Sequence, residues 1–327
     1  MFQSRLAPMS PALAALSRAL AFMGRYGTIG FAASIFIGLA LPGLAATMRP
    51  ILPISIFAFV TLTFARADLA GVRKALAQPG RLGLSWLWIT AAMPLMVLLG
   101  LALVGRSSVE PGLLLGLALV AASPPLMGFA AYTALLGMDN SVPVALLVLT
   151  MVVTPLVSPT LASVVAGAVV PIDPVLISLR LSWMLGGAFL GAFVLRRLLG
   201  PARIAALKHE FDGIFVILYL VFAIAAMDGV IGAAVAAPGK VALYLAVATA
   251  SCVVGLAAAM AVLRPLGKPE AFVLGLGTGM RNTGLLIVAM GAACPPDTFL
   301  FFSLLQFPIY CAPLAVAPLA RLVRRPA

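Results

Sequence analysis

The stretch Phe272-Val273-Leu274-Gly275-Leu276-Gly277-Thr278-Gly279-Met280-Arg281-Asn282-Thr283-Gly284-Leu285-Leu286-Ile287-Val288 is long and apolar enough for a membrane helix, yet it is broken at its middle. Glycines loosen the helix, and Arg281-Asn282 puts a charge and an amide at hydrocarbon depth. An ionisable group there is expensive and marks a functional site by default. Upstream, Ser123-Pro124-Pro125 interrupts a second apolar stretch, and its two prolines remove two backbone donors. Interruptions at corresponding places in two halves of a chain are the best sequence pointer to a transporter's binding site.

Composition agrees with a lipid solvent. The chain has 327 residues, 63% of them hydrophobic and 9% charged, with a mean hydropathy of +1.18. A soluble domain carries about a quarter charged residues, so this one could not cover its surface in water. The net charge of +12 does not imply nucleic acid, because the basic residues lie between apolar segments and form no single stripe. Cys252, Cys294 and Cys311 show no metal spacing and read as small buried residues.

A hydrocarbon core of about 30 Å takes roughly 20 apolar residues per helix. The sequence predicts an all-α integral membrane protein of about ten spans. They lie near 27–46, 50–66, 82–104, 111–136, 141–167, 175–196, 213–234, 240–263, 271–294 and 297–320. Residues 1–26 form an N-terminal cytoplasmic segment, with an amphipathic surface helix over 11–24. Basic residues divide sixteen to four between the two sides, with Arg281 left inside a span. The richer side holds both termini and is cytoplasmic by the positive-inside rule, so the chain is a multi-pass protein of the inner (plasma) membrane. Trp86 and Trp88 fall where an interfacial aromatic belt is expected.

Five spans per half is an odd number, so repeats over 27–167 and 175–320 would insert with opposite topology. Thr154-Pro155 with Ser158-Pro159 in span five matches Phe307-Pro308 with Pro313 in span ten.

The segment from Gly279 to Leu285 resembles the ninth span of the bile acid:sodium symporter family. Met93-Pro94-Leu95, Pro124 and the Thr154-to-Pro159 run match that family in order and spacing, which suggests a divergent bacterial-type member. The resemblance implies a panel domain of spans one, two, six and seven and a core domain of the other six. Spans four and nine would cross at their breaks. The implied function is secondary transport of a small organic anion by alternating access around that crossing.

The resemblance also brings sodium, and here the residues depart. The family's oxygen donors fall on Gly277, Arg281, Phe129-Ala130, Pro143, Leu147 and Ile89. A hard cation needs oxygen ligands. Only Asn282 and the carbonyls near Thr278 and Met280 remain as sodium candidates. No cofactor is expected and sodium is doubtful; Arg281 is expected to supply the positive charge instead, giving sodium-independent transport. Pro124, Pro125, Met280, Arg281, Asn282 and Thr283 are the expected substrate and crossover residues. Tyr132, Thr133, Asp228, Gln306 and Tyr310 are expected to line the cavity. A guanidinium also offers a bidentate fork for a carboxylate.

The expected partners are a small organic anion and the lipid bilayer, not nucleic acid, and the chain is a monomer or homodimer. An enzyme is not expected: the single histidine, His209, sits in Lys208-His209-Glu210 and no hydrolase motif occurs. No charge ring or carbonyl filter suggests a channel. Two alternatives stand beside the main reading: a sodium symporter with non-standard ligands, and a non-transporting membrane sensor or scaffold on the same fold.

Overall fold

The computed structural model describes residues 15, 17–20, 22–23, 27–170 and 172–324. The surface helix expected over 11–24 lies largely outside the described residues. Within them the chain is all-helical, and the sole isolated β-bridge pairs Pro125 with Arg281. In chain order the principal helices are α1 (Gly27–Ala40), α2 (Leu52–Ala65), α3 (Leu69–Leu76), α4 (Pro79–Val104), α5 (Pro111–Ala122) and α6 (Phe129–Leu135). There follow α7 (Ser141–Ala166), α8 (Pro174–Leu199), α9 (Lys208–Ala226), α10 (Pro238–Val262), α11 (Lys268–Gly279), α12 (Thr283–Met290) and α13 (Pro296–Arg324).

Local chemistry sets these boundaries. Proline opens α4, α5, α8, α10 and α13, where its missing N–H has no helical acceptor to lose. Asp173 caps α8 by accepting from the N–H groups of Val175 and Leu176 at 3.0 Å. Asp139 accepts from the Ser141 N–H ahead of α7 at 2.9 Å, and its carboxyl is held below its ordinary range by Ser141 first and then Lys74. Gly105 and Gly167 end α4 and α7 at φ of 90° and 64°, a region closed to most side chains.

Among the described residues, six helices are long and apolar enough to cross a membrane. They are Pro42–Ala65, Pro79–Val104, Ser141–Ala166, Pro174–Leu199, Lys208–Ala236 and Pro238–Val262. A seventh is counted if α13, bent by 45° between Ala312 and Leu314, is taken as one span. Such helices fit a multi-pass membrane protein. The first boundary differs from expectation. The chain breaks at Leu41 (φ −125°, ψ 65°), not near 46–50, because the residue before Pro42 is pushed off helical geometry. From Pro42 the helix runs through Arg49–Ile51 into α2. Pro155 and Pro159 do not interrupt α7.

The helices pack in two groups. In one, α9 lies against α1 and α2, and α8 against α2. In the other, α5 lies against α4, α7 and α13, and α10 against α11 and α13. Small residues allow close approach. A Cβ added at Gly255 of α10 would come within 2.8 Å of the Gly279 Cα in α11. Between the groups, Arg180 of α8 donates to the carbonyls of Ala289 (3.0 Å) and Met290 (2.9 Å) at the end of α12. Arg49 stacks over Phe299 at 4.1 Å.

Two sets of charges at helix starts correspond. Pro79-Gly80-Arg81 opens α4 and Pro238-Gly239-Lys240 opens α10. Arg81 pairs with Glu270 in the first turn of α11. Lys240 pairs with Glu110 just before α5 at 3.1 Å and with Asp297 in the first turn of α13 at 2.8 Å. Near Arg81, Lys74 meets Asp139, just before α7, at 3.4 Å. Exposed pairs contribute little, about 0–1 kcal/mol each, so the correspondence of position matters more than the energy.

Candidate functional site

Two short helices follow two breaks, and the breaks meet. Ser123 leaves helical geometry at ψ 147° after α5, and Met280 does so at ψ 101° after α11. The exposed backbone groups then satisfy one another. Leu126 N–H donates to the Met280 carbonyl at 2.9 Å, and Asn282 N–H donates to the Pro124 carbonyl at 2.8 Å. A polar backbone far from water must find such partners, and neither break supplies them alone.

Arg281 lies inside this crossing, 3% exposed. Its Nη1 donates to the Ile89 carbonyl of α4 at 2.8 Å, and its Nη2 to the Ala121 carbonyl at the end of α5 at 3.3 Å. Pro94 withholds one backbone donor from this part of α4. No carboxylate pairs with Arg281 among the described residues. The guanidinium acts as a carbonyl clamp joining α4, α5 and the second break. Both terminal nitrogens are engaged, so the free bidentate fork expected from the sequence is absent. Nε alone has no partner. It belongs to a side chain lining a cavity of about 20 Å³ with Thr90, Ser123, Thr150, Thr154 and Ser158. That is room for about one water.

The surroundings do not suit a sodium ion. A Cβ at Gly277 would lie 2.9 Å from both Ile89 Cδ1 and Phe129 Cζ, so apolar side chains fill the place of a carboxylate. The Thr278 hydroxyl donates to the Leu274 carbonyl at 2.8 Å and accepts from Trp88 Nε1 at 3.0 Å. The Met280 carbonyl already accepts from Leu126. Of the sodium candidates, the Met280 carbonyl is thus committed, while no bond to the Asn282 side chain or the Thr278 carbonyl occurs among the described residues, too few oxygens for a hard cation. The Trp88 indole is thereby tied to α11.

The expected cavity residues divide. Thr133 is fully buried and its hydroxyl donates to the Phe129 carbonyl at 2.8 Å. Gln306 is buried and donates to the Phe302 carbonyl at 2.9 Å. Asp228 pairs with Arg49 at 2.8 Å beyond the end of α9 and does not line the crossing. Each of these polar groups is occupied locally. Tyr132, Tyr310 and Thr283 are different: each is 2% exposed, and their hydroxyls have no hydrogen-bond partner among the described residues. Pro124, Pro125, Met280 and Asn282 form the crossing itself.

Sequence reasoning missed the wall opposite. A Cβ at Gly128 would lie 3.0 Å from Tyr219 Oη and 3.4 Å from Tyr132 Cε1. Tyr219 meets Tyr310 edge-to-face at 5.9 Å and Phe59 at 4.3 Å. A Cβ at Gly284 would lie 3.1 Å from Ile56 Cδ1 and 3.3 Å from Phe222. Phe222 in turn meets Phe302 at 6.0 Å. Ile56, Phe59, Tyr219 and Phe222 belong to α2 and α9, so the two groups of helices face each other here. One signal was available: only five tyrosines occur in the chain, and three gather at this place.

No protein-family model matches this chain, and no curated protein matches its sequence.

Proposed function

We propose that the chain is a secondary transporter of a small organic anion, working by alternating access around the crossed breaks. The observation that carries this reading is the mutual satisfaction of the two breaks through Leu126–Met280 and Asn282–Pro124. Such broken helices are tolerated at membrane depth where they line a site. In this reading α1, the six long helices, α13 and the two broken pairs make ten spans in two inverted five-helix repeats. The 12-residue lengths of α5 and α11 support the repeat. So does the matched pairing of Arg81 with Glu270 and Lys240 with Glu110. The group of α1, α2, α8 and α9 serves as the panel and the other as the core, as in the bile acid:sodium symporter family that the sequence resembles.

Arg281 acts as a built-in cation. It takes main-chain carbonyls as partners, and its charge gives the crossing a positive field that an anion meets from the panel side. Transport therefore needs no sodium. To alternate, the panel must release the Arg180 contacts to Ala289 and Met290 and the Arg49 contact to Phe299. The test is saturable flux of organic anions into proteoliposomes, with sodium compared to potassium at equal ionic strength. Equal rates are expected. Strong sodium stimulation would sink sodium independence, and absence of flux for every anion would favour the sensor or scaffold alternative.

A further inference from the structure

Five buried side-chain polar atoms lack a hydrogen bond among the described residues: Trp86 Nε1, Tyr132 Oη, Arg281 Nε, Thr283 Oγ1 and Tyr310 Oη. Three of them belong to the place where the two breaks face α2 and α9. A hydroxyl held away from water without a partner costs free energy, and a fold does not gather several without a use. The surrounding groups describe what they await.

The polar part of the place is a set of donors. Two phenols and the Thr283 hydroxyl have protons uncommitted to protein acceptors. The eight-residue helix α12 starts at Thr283, and the first N–H groups of a helix have no acceptor within it. Neutral donors of this kind suit one carboxylate. No Lys or Arg pairs with these hydroxyls, and Arg281 has its Nη groups turned to Ile89 and Ala121. One fixed positive charge nearby balances one negative charge, which disfavours a dianion.

The apolar part is aromatic. Phe59, Tyr219, Phe222, Phe302 and Tyr310 form a connected set with centroid separations of 4.3 to 6.4 Å, several meeting near right angles. Aromatic rings prefer edge-to-face or offset neighbours at about 4.5–7 Å, which is the geometry a guest ring would join. The bare backbones at Gly128 and Gly284 let Tyr219, Ile56 and Phe222 of α9 and α2 lie close against both breaks, so the aromatic set borders the unpaired hydroxyls directly.

Resting on the transporter reading, we infer that the substrate is a small aromatic monocarboxylate. Its carboxylate accepts hydrogen bonds from the hydroxyls of Tyr132, Tyr310 and Thr283, and its ring stacks among Phe59, Tyr219 and Phe222. The test uses the purified full-length chain in proteoliposomes, with benzoate, cyclohexanecarboxylate, phthalate and a steroid carboxylate as probes. Benzoate is expected to be taken up saturably. Cyclohexanecarboxylate should bind about fivefold or more weakly, and phthalate and the steroid acid should not compete. Tyr132→Phe and Tyr310→Phe should each weaken benzoate binding by about tenfold or more, with a melting temperature no lower than that of the parent. Tighter binding of phthalate or the steroid acid, or unchanged affinity in both folded variants, would overturn the assignment. Saturable uptake of a different anion with none of benzoate would remove the aromatic class and leave the transporter standing. No uptake of any anion would remove both.

Discussion

The crossing has two unlike sides. Toward α4, α10 and α11 it is sealed: Arg281 is bonded to main-chain carbonyls, Thr278 is bonded twice, and Ile89 and Phe129 close over Gly277. Toward α2 and α9 it carries Tyr132, Tyr310 and Thr283 with hydroxyls unanswered. Both sides are equally hidden, so burial does not separate them. What separates them is how far the polar groups are met: on the first side Arg281 Nε alone lacks a partner among the described residues, on the second three hydroxyls do. Satisfied polar groups build a scaffold, and the three unsatisfied hydroxyls are where the proposed substrate would complete the set.

Substitutions can break this contrast, and the largest effect belongs to the sealed side. Gly279→Val would drive a side chain into the Cys252 main-chain carbonyl. Because backbone must move, the expected loss is about 3 kcal/mol or more, and most of the protein should be lost from a detergent-soluble, monodisperse fraction on size-exclusion chromatography. Next comes Arg281→Ala. It removes a costly buried charge, takes a second donor from the Ile89 carbonyl and leaves the Ala121 carbonyl, whose helical donors are replaced by Pro124 and Pro125, bare at about 1–3 kcal/mol. A net loss of about 1–3 kcal/mol should appear as a lower melting temperature, unchanged between sodium and potassium. A rise in stability on adding sodium to this variant would show that a free cation replaces the guanidinium. The smallest effect is on the open side and has the opposite sign. Tyr132→Phe and Tyr310→Phe each delete an orphaned hydroxyl, so the empty protein should keep or gain stability, by up to about 1–2 kcal/mol, in thermal unfolding followed by circular dichroism. A loss as large as that of Arg281→Ala would mean that the two sides do not differ.

Much of this was legible in the sequence, for physical reasons. Pro124-Pro125 and the glycine-flanked Arg281-Asn282 announce lost helix bonds, and both breaks occur there. Hydropathy makes the helices long and apolar. The partners of Arg281 were not legible, because a carbonyl belongs to every residue and leaves no trace in the sequence. Leu41 broke the first apolar run early because the local constraint of Pro42 overrode continuous hydropathy. Phe59 and Phe222 were hidden because a membrane helix is apolar all round, so periodicity does not say which face meets protein. Gln306 and Thr133 looked like site residues only because helix-internal bonds to their own carbonyls cannot be read from residue type.

The bond pair joining 124–126 to 280–282 also governs how the chain is made. On the proposed topology, residues 123–128 enter the bilayer during synthesis with main-chain groups that no helix satisfies, and their partners come more than 150 residues later. Until that later segment arrives, the nascent first half is a polar defect in hydrocarbon and needs water, lipid head groups or the insertion machinery to shelter it. The crossing is therefore a checkpoint of biogenesis: a chain truncated before Met280 has every apolar segment of its first half and still cannot close it.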